Sequence, residues 1–212
     1  MDISKQRFYE KRAAALVNNL KKRHFDACYC ATKEEALAQA LKWIPEGASV
    51  GWGGAMSANQ IGLMDALRAG NYRTIDRESR PAGDREKVYM ECFGADYFIT
   101  GANALSMTGE MVNIDGSGNR VAAIVFGPKN VLVIAGMNKV TDSLEAAVIR
   151  ARTVAAPANQ QRFLLENNPC TVTGSCADCK SENCICNQIL ITRHCRPAGR
   201  IRFILVGEDL GL

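Results

Sequence analysis

The chain of 212 residues is long enough to bury a substantial core without staples, and it reads as one large domain. Hydrophobic content of 47% and charged content of 23% are ordinary for a globular protein, and a net charge of +4 is mild. The basic clusters Lys21-Lys22-Arg23 and Arg193 to Arg202 have no aromatic residues among them, which argues against a nucleic-acid surface.

From Asp2 to about Lys22 the apolar residues Tyr9, Ala13, Leu16, Val17 and Leu20 recur at helical spacing, which predicts an amphipathic entry helix. Ala27 to Cys30 reads as a short strand, and Thr32-Lys33-Glu34-Glu35 as a capping box opening a helix that Pro45 and Gly47 end. Ala48 to Trp52 predicts a strand, Gly53-Gly54 a turn, and Met56 to Leu67 another helix. A strand over Tyr72 to Ile75, a helix over Arg85 to Phe93 and a buried strand over Asp96 to Thr100 continue the alternation. Then Ala104 to Ser106, Glu110 to Ile114 and Val121 to Phe126 read as short strands separated by glycine-rich turns, a hairpin signal. The apolar run Val131 to Ala135 fits a central strand, Asp142 a cap on a helix reaching about Ala155, and Ile201 to Val206 a last strand. Strand and helix in this order predict an α/β layered sheet with an inserted hairpin. The expected divisions are an entry helix at 1–25, an α/β core at 26–160, a cysteine-rich segment at 161–200 and a final strand and tail at 201–212.

Five cysteines fall within seventeen residues, at 170, 176, 179, 184 and 186, with Cys195 beyond them. The two-residue gap of Cys176-Ala177-Asp178-Cys179 lets both sulfurs reach one metal ion, and Cys170 and Cys186 flank it at distances a loop can close. The N-terminus has charges of both signs and no apolar signal core, and no apolar run is long enough to span a membrane, so the expectation is a cytoplasmic protein. In a reducing compartment such a group points first to metal, then to transient disulfides, then to inert thiols. Cys28, Cys30 and Cys92 read as small buried hydrophobes.

Gly51-Trp52-Gly53-Gly54 and Ser57 form a strand, a glycine turn and a helix start, a place where a small anion can approach the backbone. The lysine of a phosphate-binding loop and the dinucleotide glycine fingerprint are both missing. Asn103 lies past the carboxyl end of a buried strand, where open α/β sheets place ligands. Asn113, Asp115, Asn119 and Arg120 are packed along the hairpin, and Glu110 is the preferred carboxylate for a nucleophile or base. Lys139, near the carboxyl end of the Val131 to Ala135 strand, can neutralise an acidic ligand. Lys129, at the opposite end, reads as a turn lysine, and Arg152 as a guanidinium able to grip an anion.

Taken together, Gly51 to Gly54, Thr100 to Leu105, Gly109 to Val121, Phe126 to Lys129, Ala135 to Val140, Ala155 to Asn159 and Ile204 to Leu212 resemble the LUD-domain family of lactate-utilisation-type proteins. The resemblance covers nearly the whole chain. It implies a Rossmann-like fold of the CoA-transferase and ribose-phosphate-isomerase group. It also implies a ligand loop at Gly51, Gly53, Gly54 and Ser57, with pocket or scaffold roles for Asn103, Glu110, Asn113, Asp115, Asn119, Arg120, Lys129, Asn138 and Lys139. Metal ligands map to Cys170, Cys176, Cys179 and Cys186, for an iron-sulfur cluster or zinc. Cys184, where relatives more often carry arginine, and Cys195 are then the extras, and Ala55 stands where relatives often carry serine. The implied function is a part in oxidation of lactate or a related hydroxy acid. The alternatives are a CoA-transferase-like binder or enzyme for an acyl or phosphorylated ligand, and a non-catalytic assembly subunit. A small anionic ligand, iron-sulfur partner subunits and a homo-oligomer are the expected partners, with no membrane span.

Overall fold

The computed structural model describes residues 2–163 and 167–212. Helix α1 (Ile3–Lys22) opens on Asp2, whose carboxylate accepts the backbone N–H of Ser4 and Lys5. Strand β1 (Asp26–Cys30) follows, then α2 (Lys33–Trp43), capped by Thr32 accepting from the Glu35 N–H. Glu35 reaches back to the N–H of Ala31, one residue short of the reciprocal bond of an ideal capping box. After β2 (Ser49–Gly53) the helix expected over Met56 to Leu67 is two pieces, α3 (Met56–Gln60) and α4 (Leu63–Ala69). Gly62 between them takes a φ of +79°, a left-handed conformation that ends the first helix after little more than a turn.

Strands β3 (Arg73–Ile75) and β4 (Tyr97–Thr100) flank α5 (Arg85–Phe93). Then come β5 (Ala104–Ser106), β6 (Met111–Asp115), α6 (Asn119–Val125), β7 (Asn130–Gly136) and β8 (Val140–Thr141). The Val121 to Phe126 strand is corrected to helix α6. Gly118, at φ +85°, turns the chain, and the Asp115 carboxylate accepts from the N–H groups of Gly118 and Val121. Buried Val121 and Ile124, three apart, form its inner face, a helical rather than an alternating spacing.

The next helix is capped by Ser143 and not by Asp142, whose carboxylate instead takes a bond from Arg12 on α1 at 2.6 Å. It runs as α7 (Leu144–Arg150), widens into a π-helical segment over Ala151–Ala155 and continues as α8 (Ala156–Gln160). Pro157 has no N–H to donate to the preceding turn, and the π segment lets the helix pass it unbroken. A single turn, α9 (Pro169–Thr173), is followed by β9 (Gln188–Thr192) and β10 (Ile201–Val206).

Six strands form a wholly parallel sheet in the order β1-β10-β7-β4-β2-β3. Val131, Val133 and Ala135 of β7 and Phe203 and Leu205 of β10 face Leu16, Leu20 and Phe25 on one side. Leu132, Ile134, Ile204 and Val206 face Ala36, Ala40, Leu63 and Leu67 of α2 and α4 on the other. Strands β7 and β10 are therefore buried on both faces, which explains the apolar runs Val131 to Ala135 and Phe203 to Val206. The hairpin β5-β6 is there, but it belongs to a second sheet, β8-β5-β6-β9. Strand β9 emerges from the cysteine segment and pairs antiparallel with β6, setting Gln188 opposite Asp115. No helix among the described residues is long and apolar enough to cross a membrane.

Candidate functional site

Beyond the carboxyl ends of β2, β4 and β7 lies a cavity of about 360 Å³, where a parallel sheet leaves a crevice for ligands. Its walls combine the glycine turn after β2, the Asp115 to Arg120 turn, the end of α8, and Arg77, Arg85 and Tyr89 from the segment around α5. Five cationic side chains, Arg77, Arg85, Arg120, Lys139 and Arg162, line it against one carboxylate among the described residues, that of Asp115.

Arg120 crosses the floor. It donates to the Asn103 Oδ1 at 3.0 Å and to the Ile114 carbonyl at 2.5 Å, and its Nε lies 3.7 Å from Asp115. Burial works against its charge, and Asp115 works in its favour. The Asn103 oxygen also accepts the Ile114 N–H, so both its acceptor bonds are internal and its amide N–H groups are left at the cavity wall.

Lys139 is buried at the cavity's inner end. Its Nζ donates to the Ala102 carbonyl at 3.1 Å and to the Ser57 hydroxyl at 3.2 Å. Burial, with the nearby charges of Arg150 and Arg120, pulls its pKa down to about 7. The tail closes over this pair: a Cβ on Gly211 would stand 2.6 Å from Nζ and 2.7 Å from the Ser57 Oγ.

Six of the expected ligand residues line this cavity: Gly54, Asn103, Asp115, Asn119, Arg120 and Lys139. The others stand behind its walls for packing reasons. A Cβ on Gly51 would lie 2.5 Å from the Cys92 sulfur, so that glycine admits α5 to the sheet. Gly53 leaves room for Phe98, and Gly54, at φ +58°, for the stem of Arg120. Ser57 is sealed beneath Lys139, and Asn113 donates to the Gly101 carbonyl at 3.0 Å with its oxygen unpartnered.

Glu110 does not join the cavity. Its carboxylate accepts bonds from Arg23, from the Ser106 hydroxyl and, at 2.5 Å, from the Thr108 hydroxyl, tying α1 to the β5-β6 turn. Burial raises its pKa, but the two hydroxyl bonds and the Arg23 charge outweigh burial and hold it below the usual glutamate value. Lys129 is the expected turn lysine, paired with Asp96 at 2.8 Å, and the Asn138 oxygen accepts the Leu210 N–H.

The cysteine segment forms a second hollow, of about 90 Å³, lined by all five of Cys170, Cys176, Cys179, Cys184 and Cys186. Cys184 lines the hollow beside the four expected ligands, and its sulfur accepts the Cys186 N–H at 3.4 Å. Cys195 lies apart in the main core, bonded to the Pro197 carbonyl and the Ile201 N–H. The Arg152 guanidinium grips Asp178 of this segment at 2.5 Å. Burial and neighbouring thiols push Cys186 up to about 12, whereas the Ser181 hydroxyl draws Cys179 down.

Among the described residues no three Cys, His, Asp or Glu side chains converge closely enough to hold a metal ion as they stand. The donor set nevertheless fits a thiophilic cation. All five thiols are free, and the side-chain amide of Gln160, which also lines the hollow, is buried with neither atom partnered among the described residues. An amide N–H in that position is satisfied by a thiolate or sulfide, which a thiol in its protonated state supplies poorly. Ala156 and Ile185 line both hollows.

The cavity residues to which the sequence reading gave no site role are Arg77, Arg85, Tyr89, Asn159 and Arg162, which reach it from two stretches of the chain, 77–89 and 159–162. Arg77 lies in a short 3-10 turn and Arg85 opens α5, and neither belongs to a motif.

The LUD domain family profile matches residues 13–206. Among solved structures, the crystal structure of a DUF162 family protein from Deinococcus radiodurans superposes with a TM-score of 0.54 at 10% identity, covering 93% of this chain and 97% of that one. At that identity it establishes the fold alone. A tetrameric eIF2B-beta2-delta2 complex from C. thermophilum gives a TM-score of 0.38 at 16% identity, over 56% of this chain and 47% of the other. No curated protein sequence matches. The chain belongs to the LUD-domain family.

Proposed function

We propose that this LUD-domain protein binds a small organic anion in the arginine-lined cavity and takes part in oxidation of lactate or a related hydroxy acid. The cysteine hollow beside the cavity would hold an iron-sulfur cluster or a zinc ion. The observation that carries the first part is the cation excess: among the described residues five cationic side chains line the recess against one acidic side chain. Arg120 and Asp115 neutralise each other in part, whereas Arg77 and Arg85 form no ion pair among the described residues and are available to an anion. A carboxylate held by a guanidinium gains charge-assisted, geometrically matched bonds, which suits a short hydroxy acid.

Cys170, Cys176, Cys179, Cys184 and Cys186 would supply the thiolates, with the Gln160 amide donating to one of them. A cluster there would supply one-electron transfer, and zinc a structural tie or Lewis acidity. In this scheme the chain's own residues bind and orient the anion and hold a proton-accepting amine at Lys139. Glu110 has a structural role, because its carboxylate is already satisfied outside the cavity.

The test has two arms. Titration calorimetry with L-lactate, pyruvate and inorganic phosphate is expected to show binding that weakens roughly tenfold in an Arg77→Ala, Arg85→Ala double variant, about 1.4 kcal/mol. No binding of any of the three anions at millimolar concentration defeats the anion reading. Protein prepared without oxygen is expected to carry iron or zinc, and metal-free, colourless protein from such a preparation defeats the metal reading.

A further inference from the structure

Lys139 is a charged residue placed as if it were meant to be neutral. It is buried, and no carboxylate pairs with it among the described residues. The charged groups that face it from the packed elements are Arg120 of α6 and Arg150 of α7, both cationic. Its two hydrogen-bond partners, the Ala102 carbonyl and the Ser57 hydroxyl, can take two N–H bonds. A neutral amine has two to give, and its lone pair is then left for the cavity that Lys139 lines. An ammonium would carry a third N–H with no acceptor among the described residues. Desolvation next to other cations is how lysines are made nucleophilic.

From this geometry we propose that Lys139 is a covalent capture site for 2-oxo acids. This rests on reading the cavity as an anion site: the cationic wall holds the carboxylate, and the adjacent carbonyl carbon meets Nζ. The amine nitrogen forms a bond to that carbon, the carbonyl π electrons pass to oxygen, and one amine proton moves to it, giving a carbinolamine. Loss of the hydroxyl with the second amine proton as water leaves an imine, so the balance is amine plus ketone to imine plus water. Acids that have a carboxylate and no carbonyl, such as L-lactate or acetate, bind without this bond. Ser57 accepts a bond from Nζ, and the absence of a side chain at Gly211 leaves room for both.

The experiment treats the full chain with pyruvate and sodium borohydride at pH 7.5 and maps the modified lysines by peptide mass spectrometry. With its pKa lowered to about 7, Lys139 has about a thousandfold more neutral amine at that pH than an exposed lysine, so a carboxyethyl group is expected there first and on surface lysines only slowly. L-lactate or acetate with borohydride is expected to leave Lys139 unmodified, and Lys139→Arg to abolish the fast phase. The wild-type map decides the matter even where that variant folds poorly. Label spread evenly over surface lysines overturns the proposal. So does calorimetric pyruvate binding without any adduct at Lys139, which leaves the anion cavity standing. Absence of both binding and adduct overturns the cavity reading together with it.

Discussion

Glu110→Gln separates a structural carboxylate from a catalytic one. The Glu110 and Arg23 side chains are about 10% and 19% exposed, so the pair is largely desolvated, and removing one charge leaves the other poorly compensated. Breaking a fully buried pair costs about 3–5 kcal/mol, but here Arg23 keeps the Thr108 and Arg193 carbonyls as acceptors and part of its surface in water. A loss of about 2 kcal/mol follows, or roughly 5 °C in melting temperature for a chain of this size. The pH dependence has a definite sign. The folded pKa is depressed, so this stabilisation is complete above the unfolded value near pH 4.3 and disappears as pH falls through the lower folded value. Urea melts of wild type and variant are expected to differ at about pH 7.5 and to draw together as pH is lowered through the folded value. Anion affinity is expected to be unchanged. A variant with wild-type stability and abolished ligand binding or turnover refutes this account and returns Glu110 to the site.

Three other outcomes follow from packing and charge. Gly51→Ala places a methyl 2.5 Å from the Cys92 sulfur and is expected to cost about 2 kcal/mol by overpacking, with recovery of most of that in the Gly51→Ala, Cys92→Ala double variant; no recovery in urea melts would point to another role for this glycine. Lys139→Met is expected to flatten the stability profile between pH 7 and about 10, since the unfolded chain there binds a proton that the folded amine lacks and wild-type stability rises with pH by about 1.4 kcal/mol per unit. Equal slopes in the two proteins would contradict a neutral buried amine. In chelator-treated protein Cys179 is expected to be alkylated by iodoacetamide ahead of Cys92, whose pKa burial pushes to about 11, and mass mapping that finds the reverse order would contradict the assigned environments.

The parallel sheet was legible because doubly buried strands advertise themselves: Val131 to Ala135 and Phe203 to Val206 are continuous apolar runs. Helix α6 was not, since Val121-Ala122-Ala123-Ile124-Val125 is short and apolar throughout, and such a run fits strand and helix alike until Asp115 and Gly118 are seen to cap it. Strand β9 was hidden for a different reason. Gln188-Ile189-Leu190-Ile191-Thr192 lies at the end of the cysteine segment with Ile189 and Ile191 exposed, so its partner β6, more than seventy residues away, defines it and periodicity does not.

The same distinction governs the site. Asp115, Asn119 and Arg120 could be found from sequence because they sit on one turn, where local chemistry forces polar residues and glycines together, and Asn103 because it follows the carboxyl end of a buried strand. The glycines after β2 could be found too, but a glycine records only that something comes close, and at Gly51 the visitor is a cysteine of α5. Arg77, Arg85 and Arg162 become a binding wall only once the sheet has folded. Strand β9 adds the last constraint. By pairing with β6 it ties Asn187 to the carbonyls of Asp115 and Gly116, at 3.0 and 3.1 Å, and sets Ile185 between the cysteine hollow and the cationic cavity. The cysteine segment therefore supplies, through Ile185, part of the wall of the cationic cavity.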